Sequence, residues 1–371
     1  MTTVRIERVR VRAAMVPLRR PLATSFATFT HGPFLFVDLE CAGGMVGRVS
    51  AFMFHPLGLK LVPAVLDDLA LAFRDHEVTL ADMPALHDAA QRRLMRLGHE
   101  GVTQLALSIF DMALHDALAR AAGLPLYRLL GAVPVDLPSY NSCGLGIAEP
   151  TALVKEAREL AAAHGGFGHV KMRLGRATIA ADRAAVDAVR GALGDGVTLS
   201  VDFNQALAPA TALAACRAID SLDLAWVEEP VVYDDYETQA RLTAKLATPV
   251  QIGETWWHWR VAQRAIAMAA CDYCMPDILR IGGVTGFMRT ARCAEAASIP
   301  VSSHLSPEFS AHVLAAAPTR HWLEFMDWAQ DMLVDPLIPH KGMARPRDTP
   351  GAGVDWNETA LAKCIAASRI I

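Results

Sequence analysis

Val197-Thr198-Leu199-Ser200-Val201-Asp202, Leu224-Ala225-Trp226-Val227-Glu228 and Val250-Gln251-Ile252-Gly253-Glu254 are three short apolar runs, each closed by an acidic residue. The three carboxylates stand 26 residues apart, an interval that fits a strand, a loop, a helix and a second loop. In a barrel of such units, the residue ending each strand projects onto one shared face. Three carboxylates meeting there repel one another unless a cation lies between them. The spacing therefore predicts a βα barrel and a metal site together.

Read outward at that period, strands are expected near 136–142, 168–173, 197–202, 224–228, 249–253, 272–276, 299–303 and 320–325. Helices fill 149–164, 179–193, 208–221, 234–246, 257–270, 284–297 and 308–316. The opening third follows another pattern. Antiparallel strands are expected over 4–16 and about 34–52, with Gly43-Gly44 as a turn. Helical periodicity then covers about 58–74, 83–96 and 101–123, stopping at Gly123 and Pro125. The expected organisation is an α+β capping domain over 1–132, then an α/β (β/α)7β modified TIM barrel over 133–345. A Pro- and Gly-rich segment over 346–371 makes a poor eighth helix and is expected to return to the cap.

A chain of 371 residues suffices for one barrel and a smaller domain, and 53% hydrophobic content suits a globule with much buried surface. A net charge of −4 gives no electrostatic case for nucleic acid. The seven cysteines are odd in number and their spacing suggests no disulfide framework, so a reducing cytoplasm is expected. Cys271-Asp272-Tyr273-Cys274 has no second pair to complete a zinc site and reads as small buried side chains. The amino-terminal alternation from Val4 to Arg12 reads as a half-exposed strand, not a signal peptide. No run approaches the roughly 18 apolar residues that cross a bilayer, so no membrane partner is expected.

Position at a strand end is the physical warrant for function. Strand two ends in Lys171-Met172-Arg173, strand six in Asp277, strand seven in His304 and strand eight in Glu324. Oxygen donors alone favour a hard cation, Mg²⁺ first and Mn²⁺ second. Glu229 competes with Glu228 as third ligand, since alternation along a strand turns one of the two away. Asp277 beside His304 would fix the imidazole tautomer and make a general base. Lys171 and Arg173 alternate, so both face inward across the metal, and Glu324 would hydrogen-bond an oxyanion if it retained its proton. These parts suit removal of a proton α to a carboxylate, with the enediolate held on Mg²⁺.

The chain resembles the enolase superfamily and, within it, the mandelate racemase group, over essentially its whole length. The resemblance rests on Pro125-Leu126-Tyr127-Arg128-Leu129-Leu130-Gly131, Val170-Lys171-Met172-Arg173-Leu174-Gly175 and Val201-Asp202-Phe203-Asn204-Gln205. It rests also on Glu228-Glu229-Pro230, Gly253-Glu254-Thr255-Trp256, Met275-Pro276-Asp277, Ile281-Gly282-Gly283-Val284-Thr285-Gly286, Ser302-Ser303-His304-Leu305 and His321-Trp322-Leu323-Glu324. It implies Asp202, Glu228 and Glu254 as Mg²⁺ ligands and His304 with Asp277 as the base for one enantiomer. It implies that Glu324 donates to the substrate carboxylate, that Lys171 and Asn204 stabilise the enediolate, and that Ser142 contacts substrate. A cap loop at about 19–33 would close over the site. Its Leu22, Phe26 and Phe29, together with Phe54, Leu305 and Met326, would line an apolar pocket. A homo-oligomer is expected from the same resemblance.

One position departs from the group. Its strand-two signature is Lys-x-Lys, the second lysine being the base for the other enantiomer, and here that residue is Arg173. A guanidinium stays protonated and makes a poor base, though it still supplies positive charge. The apolar lining argues for a small 2-hydroxy acid with an apolar or aryl substituent, because a polyol would leave hydroxyls unpaired there. The main expectation is a Mg²⁺-dependent racemase of such an acid. Its competitors are an acid-sugar dehydratase with His304 as sole base, and a silent protein that binds metal and ligand without turnover. A Schiff-base aldolase using Lys171 is the weakest competitor.

Overall fold

The computed structural model describes residues 2–370, so Met1 and Ile371, the ends of the expected cap and tail, lie outside it. The cap opens with β1 (Val4–Ala23), β2 (Thr28–Cys41) and β3 (Met45–Phe52), followed by α1 (Gly58–Ala72), β4 (Glu77–Val78), α2 (Met83–Leu94), α3 (Val102–Ala121) and α4 (Leu126–Leu129). The barrel runs β5 (Leu137–Asn141), α5 (Pro150–Ala162), β6 (His169–Arg173), α6 (Ile179–Leu193), β7 (Thr198–Asp202), α7 (Pro209–Ile219) and β8 (Leu224–Glu228). It continues α8 (Tyr236–Thr243), β9 (Val250–Ile252), α9 (Trp259–Ala267), β10 (Tyr273–Cys274), α10 (Gly283–Ala296), α11 (Pro307–Ala316) and β11 (Leu323–Phe325). The tail adds β12 (Met343–Ala344), α12 (Glu358–Cys364) and β13 (Ile365–Ile370).

The molecule is a capped (β/α)7β barrel. Its parallel strands follow the order β10-β9-β8-β7-β6-β5-β11, with β12 antiparallel on β5. The sequence pattern predicts a strand over 299–303, but no continuous ladder forms there. Pro300 has no N–H to give, so only the isolated bridges Cys274↔Val301, Asp277↔His304 and Val301↔Arg320 span the seam. These bridges close the barrel and set His304 opposite Asp277.

In the cap, β1 lies between β2 and β13, and β4 also pairs with it. The family resemblance implies a loop over about 19–33. Instead β1 and β2 stay paired out to Ala23↔Thr28, with a register shift between Pro17 and Leu22 that accommodates the prolines. The segment is therefore a long hairpin over the barrel mouth, tipped by residues 24–27, with Ile147 N–H donating to the Ala23 carbonyl. The buried helix α3 joins cap to barrel: its Asp111 accepts from Thr285 N–H at 2.9 Å and Thr285 Oγ1 at 2.5 Å. The tail lies against the cap, where Trp356 packs edge-on to Phe36 and Arg12 pairs with Glu358 at 2.7 Å. Among the described residues no helix is long and apolar enough to cross a membrane.

Candidate active site

Asp202 and Glu228 end adjacent strands in register, and ligand oxygens of Asp202, Glu228 and Glu254 lie within 4.8 Å of one another, all three residues buried. Glu254 is carried in by the turn at Gly253, whose φ is +135° and where a Cβ would lie 3.0 Å from Met275 N and the Trp256 ring. Glu229 turns the other way at φ +36°, and its Oε2 accepts from Gln205 Nε2 at 2.7 Å. The cluster therefore takes Glu228. Burial, reinforced by Asp202 and Glu254 against the pull of Lys171, pushes the Glu228 carboxyl up to about 8. Without a cation this cluster resists full ionisation. Three buried oxygen donors at this separation fit Mg²⁺.

Lys171 Nζ reaches Glu228 Oε1 at 2.5 Å, Glu324 Oε1 at 2.9 Å and Asp202 Oδ2 at 3.5 Å. Burial acts to lower its pKa, but Glu228 and Glu324 overcome it and hold the ammonium well above its usual range. An amine so tightly protonated is no Schiff-base nucleophile. Asp277 Oδ1 accepts from Leu279 N–H at 2.6 Å, while Oδ2 meets His304 Nδ1 at 2.6 Å. That bond assigns the proton to Nδ1 and leaves Nε2 facing Glu254 Oε2 at 3.3 Å. Burial favours neutral His304, but Glu254, Glu324 and Asp277 outweigh it and push the imidazole up to about 9.

Glu324 and Arg173 are both held by neighbouring groups. Burial alone would let Glu324 retain a proton, but Lys171 and then His304 hold it well below its usual range. Set by the protein's own charges, Glu324 is an ionised acceptor, taking Leu305 N–H at 2.9 Å. Arg173 is buried and lines the active-site cavity: Nη1 donates to the carbonyls of Ser142 and Gly144 at 2.8 and 2.7 Å, and Nη2 to Ser142 Oγ at 2.7 Å. Ser142 thus lies behind Arg173, outside the cavity lining. Asn204, at φ +44°, donates from Nδ2 to Asp202 Oδ2 at 2.9 Å and leaves its buried Oδ1 without a hydrogen bond.

A cavity of about 340 Å³ opens onto these groups. Leu22, Phe26, Phe29, Phe54, Leu305 and Met326 line it, and Phe52 and Trp328 extend the apolar wall. The wall also includes Arg280, which the strand-end reading misses although it stands three residues after Asp277. Its guanidinium covers the Phe54 ring at 3.7 Å, and Nη1 donates to the Glu254 carbonyl at 3.0 Å. Phe54 also stacks on the His304 imidazole with ring centroids 6.5 Å apart. Phe54 adopts φ +55°, a costly conformation for a bulky residue.

Residues 6–131 match the mandelate racemase/muconate lactonizing enzyme N-terminal domain, and residues 152–360 match the enolase C-terminal domain-like family. The chain belongs to the mandelate racemase/muconate lactonizing enzyme family. It is similar to a magnesium-bound enolase from the alpha proteobacterium bal199, with 38% identity, TM-score 0.94, and coverage of 98% of this chain and 100% of that one. A Bradyrhizobium enolase complexed with magnesium and mandelic acid is 35% identical, with TM-score 0.93 and coverage of 99% and 100%. Salmonella typhimurium L-talarate/galactarate dehydratase is 33% identical over 71% of this chain and 66% of its own length. Bacillus cereus N-succinyl-L-Arg/Lys racemase is 24% identical over 96% of this chain and 97% of its own length, so this mandelate racemase/muconate lactonizing enzyme family member has relatives whose reactions differ.

Proposed function

We propose that the protein is a Mg²⁺-dependent enzyme that removes the α-proton of a small 2-hydroxy acid with an apolar or aryl substituent, in racemase-type chemistry. The observation that carries this reading is one cavity in which His304 and two carboxylates of the cluster, Asp202 and Glu254, share an apolar aromatic wall. The mandelic acid bound to the Bradyrhizobium relative supports the substrate class. Asp202, Glu228 and Glu254 would hold Mg²⁺, which supplies Lewis-acid charge at the substrate carboxylate. His304 Nε2 takes the proton, and Asp277 stabilises the resulting imidazolium. Lys171 places a fixed positive charge where negative charge develops. Phe29, Phe54 and Met326 seat the substituent and exclude water.

Arg173 favours a second reading. Held by Ser142 and Gly144, its guanidinium has donors only and offers no proton acceptor on the face opposite His304. One-sided abstraction then suits elimination of a β-hydroxyl, the class of reaction of the Salmonella relative. Proton NMR in D₂O with Mg²⁺ tests both readings on (R)- and (S)-mandelate, followed by 2,3-dihydroxy acids. Exchange with inversion of both enantiomers supports the racemase. Exchange of one enantiomer, with a 2-keto product from a dihydroxy acid, supports elimination. No exchange with any of these acids overturns both.

A further inference from the structure

The floor beneath the carboxylate cluster carries polar groups that the reaction does not use. Trp226 shares the inner face of β8 with Glu228, two residues on, and Gln251 is the register partner of Glu228 on β9. Both aim N–H donors at one oxygen: Trp226 Nε1 lies 3.0 Å and Gln251 Nε2 3.3 Å from Glu228 Oε2. The Gln251 amide has a defined orientation, because its Oε1 accepts from Ser302 Oγ at 3.0 Å. Ser302 Oγ in turn meets His321 Nδ1 at 3.2 Å, so the chain His321, Ser302, Gln251 directs its donors toward Glu228. Trp226 is held edge-on to His169 and Tyr140, with ring centroids 4.5 and 5.3 Å apart.

Two donors occupy Oε2, while Oε1 meets Lys171 Nζ at 2.5 Å, so a cation at Glu228 would share Oε1 with that ammonium. Mg²⁺ takes one oxygen per carboxylate in a tight octahedron, whereas Ca²⁺ accepts bidentate carboxylates in larger, looser shells. We propose that Trp226 and Gln251 are positioning residues that confine Glu228 to single-oxygen coordination and so make the site select Mg²⁺ over Ca²⁺. The inference rests on the carboxylate cluster being the cation site. Removing the donors frees Oε2 and lets Glu228 rotate toward bidentate binding.

Calorimetric titration of Mg²⁺ and Ca²⁺ into the metal-free protein tests this without substrate. Trp226→Phe, Gln251→Met and Ser302→Ala are compared with wild type, with circular dichroism melting to confirm folding. The donor deletions are expected to lower the Mg²⁺/Ca²⁺ affinity ratio by about tenfold or more, the scale of groups that orient metal ligands. Ser302→Ala, the mildest change, is expected to lower it less, by releasing the Gln251 amide. An unchanged ratio in the folded variants overturns the proposal while leaving the cation site intact. Absence of Mg²⁺ binding by wild type overturns the cation site and the proposal with it.

Discussion

Arg173 donates to Ser142 twice, at 2.8 Å to its carbonyl and at 2.7 Å to its hydroxyl, and so is tied to the end of the neighbouring strand. A third bond goes to the Gly144 carbonyl and holds the charge in place, and a guanidinium has no lone pair to accept a proton. Lysine there would satisfy fewer acceptors, and its amine loses a proton far more readily when buried. Arg173→Lys is therefore expected to raise proton exchange from the face opposite His304, relative to the His304 face, by about tenfold or more. Deuterium incorporation into each mandelate enantiomer gives that ratio, and an unchanged ratio would show that position 173 has no part in proton transfer.

His304→Asn retains a donor toward Asp277 but removes the basic nitrogen. Exchange from the His304 face should fall about a hundredfold to ten-thousandfold. Mg²⁺ affinity should change little, since the three carboxylates remain. Retained exchange would mean that another group takes the proton.

The pH profile follows from the charges around His304. Its pKa is raised to about 9, so the neutral, basic form accumulates only as pH rises through that value in the metal-free protein. Mg²⁺ on Glu254 would offset the largest charge holding the proton on. Metal loading is therefore expected to move the His304 midpoint down, and the rate to rise with pH along the same limb. Titration of the imidazole by NMR with and without Mg²⁺ checks the direction; an upward or absent shift would place the ion away from Glu254.

The strand ends were legible because a barrel repeats. The 26-residue interval placed Asp202, Glu228 and Glu254 on one face, and position at the end of strand seven added His304. What was not legible depends on atoms that side-chain identity does not specify. The carbonyls of Ser142 and Gly144 that engage Arg173 have no sequence signature, and the ionised state of Glu324 follows from a 2.9 Å approach by Lys171. Pro300 interrupts the seventh strand, and the segment where the resemblance implies a loop is a hairpin paired out to Ala23 and Thr28. Arg280 was hidden for another reason: it acts from the loop beyond the strand end that it serves.

The joint between cap and barrel has its own pH dependence. Asp111 and His115 pair at 3.3 Å inside α3, both buried, and Asp111 also holds Thr285. For Asp111, burial raises the pKa but His115 overcomes it, leaving the value below the ordinary 3.8. This stabilisation is present above about pH 4 and lost as pH falls through the folded value. For His115, burial lowers the pKa but Asp111 overcomes it, leaving the value above the ordinary 6.5. That contribution is complete below about pH 6.5 and lost as pH rises through the folded value. Asp111→Asn should cost about 3 kcal/mol near pH 6 and measurably less at pH 9. Thermal melts at the two pH values check it; an equal loss would mean that the bonds to Thr285, not the ion pair, carry the stability.

Phe54 separates substrate selection from positioning of the base. Its ring lies 3.7 Å from the Arg280 guanidinium and stacks toward the His304 imidazole, and it lines the cavity. If the ring mainly receives an aryl substituent, Phe54→Ala should lower kcat/KM for mandelate by about 10–200-fold, the range for lost apolar pocket contacts. Exchange of lactate, which has only a methyl group to seat, should then be nearly unaffected. An equal loss on both acids would place the role of Phe54 in holding His304 and Arg280. The two roles also differ in pH response: lost aryl contact leaves the midpoint of the rate profile where it was, whereas a displaced imidazole moves it. Measuring both acids across pH therefore assigns the role of this strained residue from one variant.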